Sequence, residues 1–218
     1  MLPPRFMPLA ERAGLMRALD DWALEQAVRQ AVHWATHGWR QALTVNMSGD
    51  SLAEPACARR VAAVLEHHGW PARFLELDIT EQALQRDPEA AQNNLDALHR
   101  LGVRLVLDDW GLSDCALGWL RRVPFSAVKI DRRLLRAVPD HPAEADLARG
   151  LAQVARALGL KVLAEGVEHE AQRRFITTEL GCAGWQGLLG AAPLEPRACE
   201  RAVLGRAARH LVGASPGR

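Results

Sequence analysis

Lysine is almost missing from this 218-residue chain: of 27 basic residues, only Lys129 and Lys161 are lysines. Alanine is abundant beside the arginines, so the skew reads as coding bias and not as a phosphate-binding surface. Neither sign of charge prevails, since 27 basic residues face 26 acidic ones for a formal net of +1. That balance excludes the broad field that draws a protein to nucleic acid or an anionic membrane. Cysteine is sparse, and Cys57, Cys115, Cys182 and Cys199 form no C-x-x-C pair and have no histidine at zinc-finger spacing. Neither a disulfide scaffold nor a structural zinc module fits, which predicts reduced thiols in a cytoplasmic protein. No apolar run approaches the roughly 20 residues that span a bilayer. The start of the chain carries Arg5, Glu11 and Arg12 and lacks the apolar core of a signal peptide.

What remains has globular proportions, 49% apolar and 24% charged. Length and the lack of a linker predict one domain over residues 1–211, with 212–218 as a flexible tail. Helix and strand signals alternate throughout. Apolar residues from Leu19 to Val32 recur at helical spacing, predicting a helix over 16–37. Further helices are expected over 54–68, from Asp87-Pro88 to Gly102, and over 143–158, 168–180 and 195–211. Asp87 and Pro88 supply a capping residue and a proline at the first helical position. Strands are expected over 43–48, 74–80, 103–108, 127–131, 160–165 and 182–186. Strands separated by helices imply right-handed β-α-β units and a parallel sheet.

Side chains alternate faces along a strand. Leu43, Val45 and Met47 oppose Thr44, Asn46 and Ser48; Leu75, Leu77 and Ile79 oppose Glu76, Asp78 and Thr80; Val128 and Ile130 oppose Lys129 and Asp131. A doubly wound sheet buries both faces and shows nearly continuous apolar strands. One apolar face and one face turning polar at its C-terminal end predict instead an α/β fold of TIM-like barrel type.

The C-terminal strand ends then deliver Asn46, Asp78, Asp108 with Asp109, Lys129, Glu165 and Gln186 to one rim. With Glu168, five carboxylates face one ammonium there, a net of −4 when all are ionised. Carboxylates gathered without cations repel one another and rise in pKa. All-oxygen ligation by these groups suits Mg²⁺ or Mn²⁺, and two such ions can clamp both oxygens of a phosphodiester displacement. Asp131 reads as a cap for the helix that follows it.

These residues resemble the EAL domain, a bacterial cyclic-di-GMP phosphodiesterase module. The resemblance runs through Phe6-Met7-Pro8-Leu9-Ala10-Glu11, Val45-Asn46-Met47-Ser48, Leu75-Glu76-Leu77-Asp78-Ile79-Thr80-Glu81 and Leu107-Asp108-Asp109-Trp110-Gly111. It continues in Val128-Lys129-Ile130-Asp131, Ala164-Glu165-Gly166-Val167-Glu168 and Gln186-Gly187. It implies that Asn46, Asp78, Asp108, Asp109 and Glu168 bind metal. Lys129 would touch the attacking water or the phosphate, and Glu165 would be the general base. Gln186 would complete the site, and Glu81 would brace the loop after Asp109.

The departures are as specific. The Glu-Ala-Leu of the family is missing, and with it a metal-binding glutamate, a phosphate-contacting arginine and the first two barrel strands. Asp78 stands where the family carries glutamate. D-F-G-T-G-Y-S-S-L becomes Asp109-Trp110-Gly111-Leu112-Ser113-Asp114-Cys115-Ala116-Leu117, and Q-G-Y-x-F-G-R-P-L becomes Gln186-Gly187-Leu188-Leu189-Gly190-Ala191-Ala192-Pro193-Leu194. Two expectations follow. In one, the chain is a degenerate module that binds cyclic-di-GMP or a protein partner with hydrolysis lost or impaired. In the other, it is an active metal-dependent phosphodiesterase producing linear pGpG, whose EAL-bearing segment lies upstream of this start. Six strands leave open edges, which predicts a homodimer or a covering partner.

Overall fold

The computed structural model describes residues 3–111 and 116–202. In chain order the elements are α1 (Pro3–Arg12), α2 (Met16–Thr36), β1 (Leu43–Asn46), α3 (Gly49–Leu52), α4 (Cys57–His68) and a 3₁₀ turn (Ala72–Phe74). Then come β2 (Leu75–Thr80), α5 (Glu81–Gln85), α6 (Pro88–Leu101), β3 (Arg104–Trp110), α7 (Ala116–Arg122), β4 (Ala127–Ile130) and α8 (Arg132–Leu135). α9 (Pro142–Ala157), β5 (Lys161–Ala164), α10 (Glu170–Thr178) and β6 (Gly184–Trp185) complete the series. Residues 196–202 are helical, one residue later than the expected start at 195, whereas 203–211 of the predicted helix and the tail 212–218 lie outside the described residues.

Every expected strand is present, and all pairings are parallel in the order β1-β2-β3-β4-β5-β6. The result is a curled half-barrel, with β1 and β6 at its two ends among the described residues. The outer faces pack on helices: Leu75, Leu77, Ile79, Leu105, Leu107, Val128 and Ile130 are all fully buried. Truncating any of these leucines to alanine costs about 2–5 kcal/mol. On α9 the buried stripe is Ala145, Ala148, Ala152 and Ala155, small side chains that let this helix approach β4 and β5 closely. The Asp87 carboxylate caps α6 by accepting from Ala90 N, with Pro88 beginning the helix as expected.

Helices α1 and α7 were not among those expected, and three further details differ from the sequence-based expectation. The helix expected from residue 54 starts at Cys57. The short helices α3, α5 and α8 sit directly after strands, each capped by the residue that ends or follows the strand: Ser48, Thr80 and Asp131. On α2 the buried face is Met16, Asp20, Leu24, Val28 and Ala31, while Trp22 is 61% exposed. Asp20 is drawn inward because its Oδ2 accepts from Ser48 N, Ser48 Oγ and Ser51 Oγ at 2.9, 2.5 and 2.7 Å. A buried carboxylate with three donors is compensated, so Asp20 can lie on the buried face.

Candidate active site

Two consecutive aspartates on one strand should point to opposite faces. β3 avoids this by a bulge: Leu107 pairs with Val128 and Trp110 with Ile130, so β3 spends one more residue than β4 across this interval. Asp109 takes a left-handed backbone, φ 55°, and its N–H donates to Asp108 Oδ1 at 3.0 Å. Bulges of this kind redirect side chains at barrel rims. Oxygens of Asp108, Asp109 and Glu165 thereby come within 4.8 Å of one another, and Trp110 turns back into the core, 3% exposed.

Lys129 is the cation of the site. It leaves β4 on the inner face, and its Nζ donates to Asp78 Oδ2 at 2.5 Å and Glu165 Oε1 at 2.9 Å. Gln186, just past β6, donates from Nε2 to the same Glu165 Oε1 at 2.5 Å. Gly187 follows it because a side chain there would run into the Val167 backbone, whose N–H donates to the Gln186 carbonyl oxygen at 3.0 Å. Asp131 caps α8, as expected, but it also faces Asp109 within hydrogen-bonding reach. Arg133 holds it with Nε and Nη2, both at 3.0 Å. The alternation of Val128-Lys129-Ile130-Asp131 had already placed Asp131 on the inner face; that parity was the signal for its second role.

The charges are unequal. Asp78, Asp108 and Glu165 act on one ammonium, with Asp109 beside Asp108. Burial pushes Asp78 up to about 6 in spite of Lys129, with Asp108 and Glu165 adding to the effect. Burial, the hydrogen bond with Asp131 and the charge of Asp108 push Asp109 up to about 6 as well. Glu165 is raised by burial and by Asp108, only partly offset by Lys129. Burial works against the Lys129 ammonium, yet the Asp78 hydrogen bond and the surrounding carboxylates outweigh it and hold its pKa above the ordinary lysine value. Burial is the first cause of the three carboxylate shifts, and the surplus of negative charge around one ammonium adds to it.

The other predicted residues take different places. Asn46 ends β1 beside Asp78 in register and is exposed to the opening. Asn46 and Asp78 also border a cavity of about 640 Å³ that reaches Met7, Glu11, Thr80 and Arg86. Glu168 is exposed on the turn before α10; its backbone N–H donates to Gln172 Oε1, and no hydrogen bond or ion pair ties its side chain to the rim among the described residues. Glu81 lies in the first turn of α5, 6% exposed, with Oε1 unpartnered; the loop it was expected to brace lies outside the described residues. Below the rim, the inner face is polar where no chemistry was expected: Glu76 accepts from Thr44 Oγ1 at 3.3 Å and pairs with Arg104 at 2.8 Å.

Comparison with known proteins identifies the family of the fold that carries these residues. The cyclic di-GMP phosphodiesterase NbdA of Pseudomonas aeruginosa is 38% identical over 200 residues, 91% of this chain and 25% of NbdA. The cyclic di-GMP phosphodiesterase PdeR of Escherichia coli is 32% identical over 92% of this chain and 30% of its own length. The chain therefore spans between a quarter and a third of these curated relatives. The solved structure of the PaMucR phosphodiesterase in complex with c-di-GMP matches with a TM-score of 0.86 and 34% identity, over 91% of this chain and 81% of that one. Residues 1–193 match the EAL domain, and the chain belongs to the EAL domain family.

Proposed function

We propose that this chain is a cyclic-di-GMP module that binds the dinucleotide over the Asp108–Asp109–Glu165 opening and hydrolyses one phosphodiester bond to give linear pGpG. The observation that carries the reading is the gathering of three carboxylates within 4.8 Å beside the Lys129 ammonium. It draws support from the phosphodiesterases to which the chain is similar.

The acidic groups fit a hard divalent cation: the donors are all oxygen, the local charge is negative, and Asp78 keeps a buried Oδ1 without a partner. Asp108, Asp109 and Glu165, with Asp78 and Asn46 beside them and Glu168 at the rim, are the residues that would hold Mg²⁺ or Mn²⁺. Bound there, the ion supplies Lewis-acid polarisation of a phosphoryl oxygen and a more acidic water. The side chains do the rest. Glu165, its proton affinity raised, takes the proton of the attacking water, because a general base works best with a pKa nearer the working pH. Gln186 and Lys129 fix the orientation of that carboxylate. Lys129 also offers positive charge to the phosphate as the bond to one ribose oxygen breaks. Asp131, itself held by Arg133, faces Asp109.

A second reading, binding with lost or impaired turnover, is favoured by a specific observation. Leu188, Leu189, Ala191 and Ala192 are exposed in the segment after Gln186, where they offer a guanine no ring and a phosphate no cation. Chromatography of cyclic-di-GMP incubated with the purified chain and Mn²⁺ or Mg²⁺ separates the two. Formation of pGpG supports hydrolysis. Binding in calorimetry without product selects the second reading, and absence of binding overturns both. A second copy or a protein partner along β1 belongs to the same proposal, and light scattering of the dilute chain checks it: a stable monomer counts against a homodimer.

A further inference from the structure

The spacing of α2 places a second cluster of metal-competent groups away from the rim. His33 and His37 stand four residues apart, so the helix sets both imidazoles on one exposed side. Glu200, from the helical segment 196–202, meets them there. One nitrogen from each histidine and one Glu200 oxygen lie within 4.8 Å of one another. His33 Nε2 and Glu200 Oε2 are 3.8 Å apart. That is too long for a hydrogen bond but close to the separation of two ligands on a tetrahedral ion, about 3.4 Å for metal–ligand bonds of about 2.1 Å.

The end of the helix prepares the second imidazole. His37 is the C-cap, and its Nδ1 lies 2.9 Å from the His33 carbonyl oxygen. A carbonyl can only accept, so Nδ1 carries the proton and the Nε2 lone pair is left for a cation. The Thr36 hydroxyl donates to the same carbonyl at 2.7 Å and lies 3.3 Å from His37 Nδ1, which steadies the ring. A metal-binding histidine almost always has its other nitrogen bonded in this way, because the bond fixes tautomer and direction. The two rings, 4.6 Å apart between centroids, incline at 59°.

We propose that His33, His37 and Glu200 form a surface zinc site with a water-filled fourth position. Two imidazoles and one carboxylate favour Zn²⁺ over the hard cations suited to the all-oxygen rim, so the two clusters sort metals by donor chemistry. Zinc bound there would fasten segment 196–202 to α2.

Calorimetric titration of the metal-free full chain with Zn²⁺, in excess Mg²⁺ to occupy the acidic rim, tests the proposal. One Zn²⁺ per chain is expected, with affinity reduced about tenfold or more in H33A and in H37A, and reduced in E200Q. D108N and C199S should bind as the unaltered chain does. No zinc binding, binding unchanged in H37A, or loss in D108N or C199S would overturn it.

Discussion

Two buried strand-end aspartates sit on neighbouring parts of the same rim and obey opposite physics. Asp131 is satisfied: Arg133 supplies a guanidinium and a backbone N–H, and although burial works against the charged form, these donors hold its pKa below the usual carboxylate range. Asp78 has a lysine at 2.5 Å and still has a pKa of about 6, because burial and two further carboxylates outweigh that ammonium. Its Oδ1 is left without any partner. The difference teaches that one ion pair does not make a charge comfortable; the full set of donors around it does. Asp131 is therefore scaffold, and Asp78 belongs to a group held short of positive charge, the setting in which the proposed cation would bind.

The comparison breaks most visibly if the rim does not need its carboxylates. D108N should lower hydrolysis of cyclic-di-GMP about 100-fold or more, and should remove any rise in Tm produced by Mn²⁺. Product formation followed by chromatography and thermal unfolding with and without Mn²⁺ read the two effects. Unchanged Mn²⁺ stabilisation in D108N would move the metal away from this opening.

The next effect falls on stability. K129A removes the only ammonium from a buried pair and should cost about 3–5 kcal/mol in urea unfolding, since Asp78 is then left buried without a counter-charge. The double variant D78A/K129A should recover part of that loss, because the orphaned carboxylate goes with its partner. Simple additivity would show that the two side chains do not depend on each other. R133A, by contrast, removes a mostly exposed guanidinium from Asp131 and should lower Tm less than K129A does.

The amino-acid pattern made much of this rim legible. Alternation along each strand already placed Asn46, Asp78, Lys129, Glu165 and Asp131 on one face, because a period of two is a local property. It could not place Asp109, whose direction depends on a bulge and a left-handed backbone that only the pairing of β3 with β4 reveals. The role of Arg133 was hidden for a related reason, since a long flexible side chain on α8 can point many ways. The buried place of Asp20 on α2 was hidden because hydrophobic periodicity cannot foresee that Ser48 and Ser51 supply three donors to a carboxylate. Glu168 matched a motif, yet its side chain is exposed at the edge of the rim.

The smallest effect, and the sharpest contrast, lies in pH. Asp78 has a folded pKa of about 6 against an ordinary 3.8, so the native state holds its proton more tightly than the unfolded chain. Stability contributed by the protonated form is complete below about pH 4 and is lost as pH rises towards 6, by at most about 3 kcal/mol for two pKa units. Asp131 has the reverse sign: its depressed pKa favours the folded state above the ordinary 3.8, and that advantage disappears as pH falls through the lower folded value. Unfolding curves of the metal-free chain, D78N and D131N should therefore diverge in opposite directions. Relative to D78N, the unaltered chain weakens between pH 4 and 6; relative to D131N, it weakens only below about pH 4. Divalent metal at pH 7 should offset the Asp78 penalty and leave the Asp131 difference unchanged, because only the first of the two carboxylates lacks the charge that the ion brings.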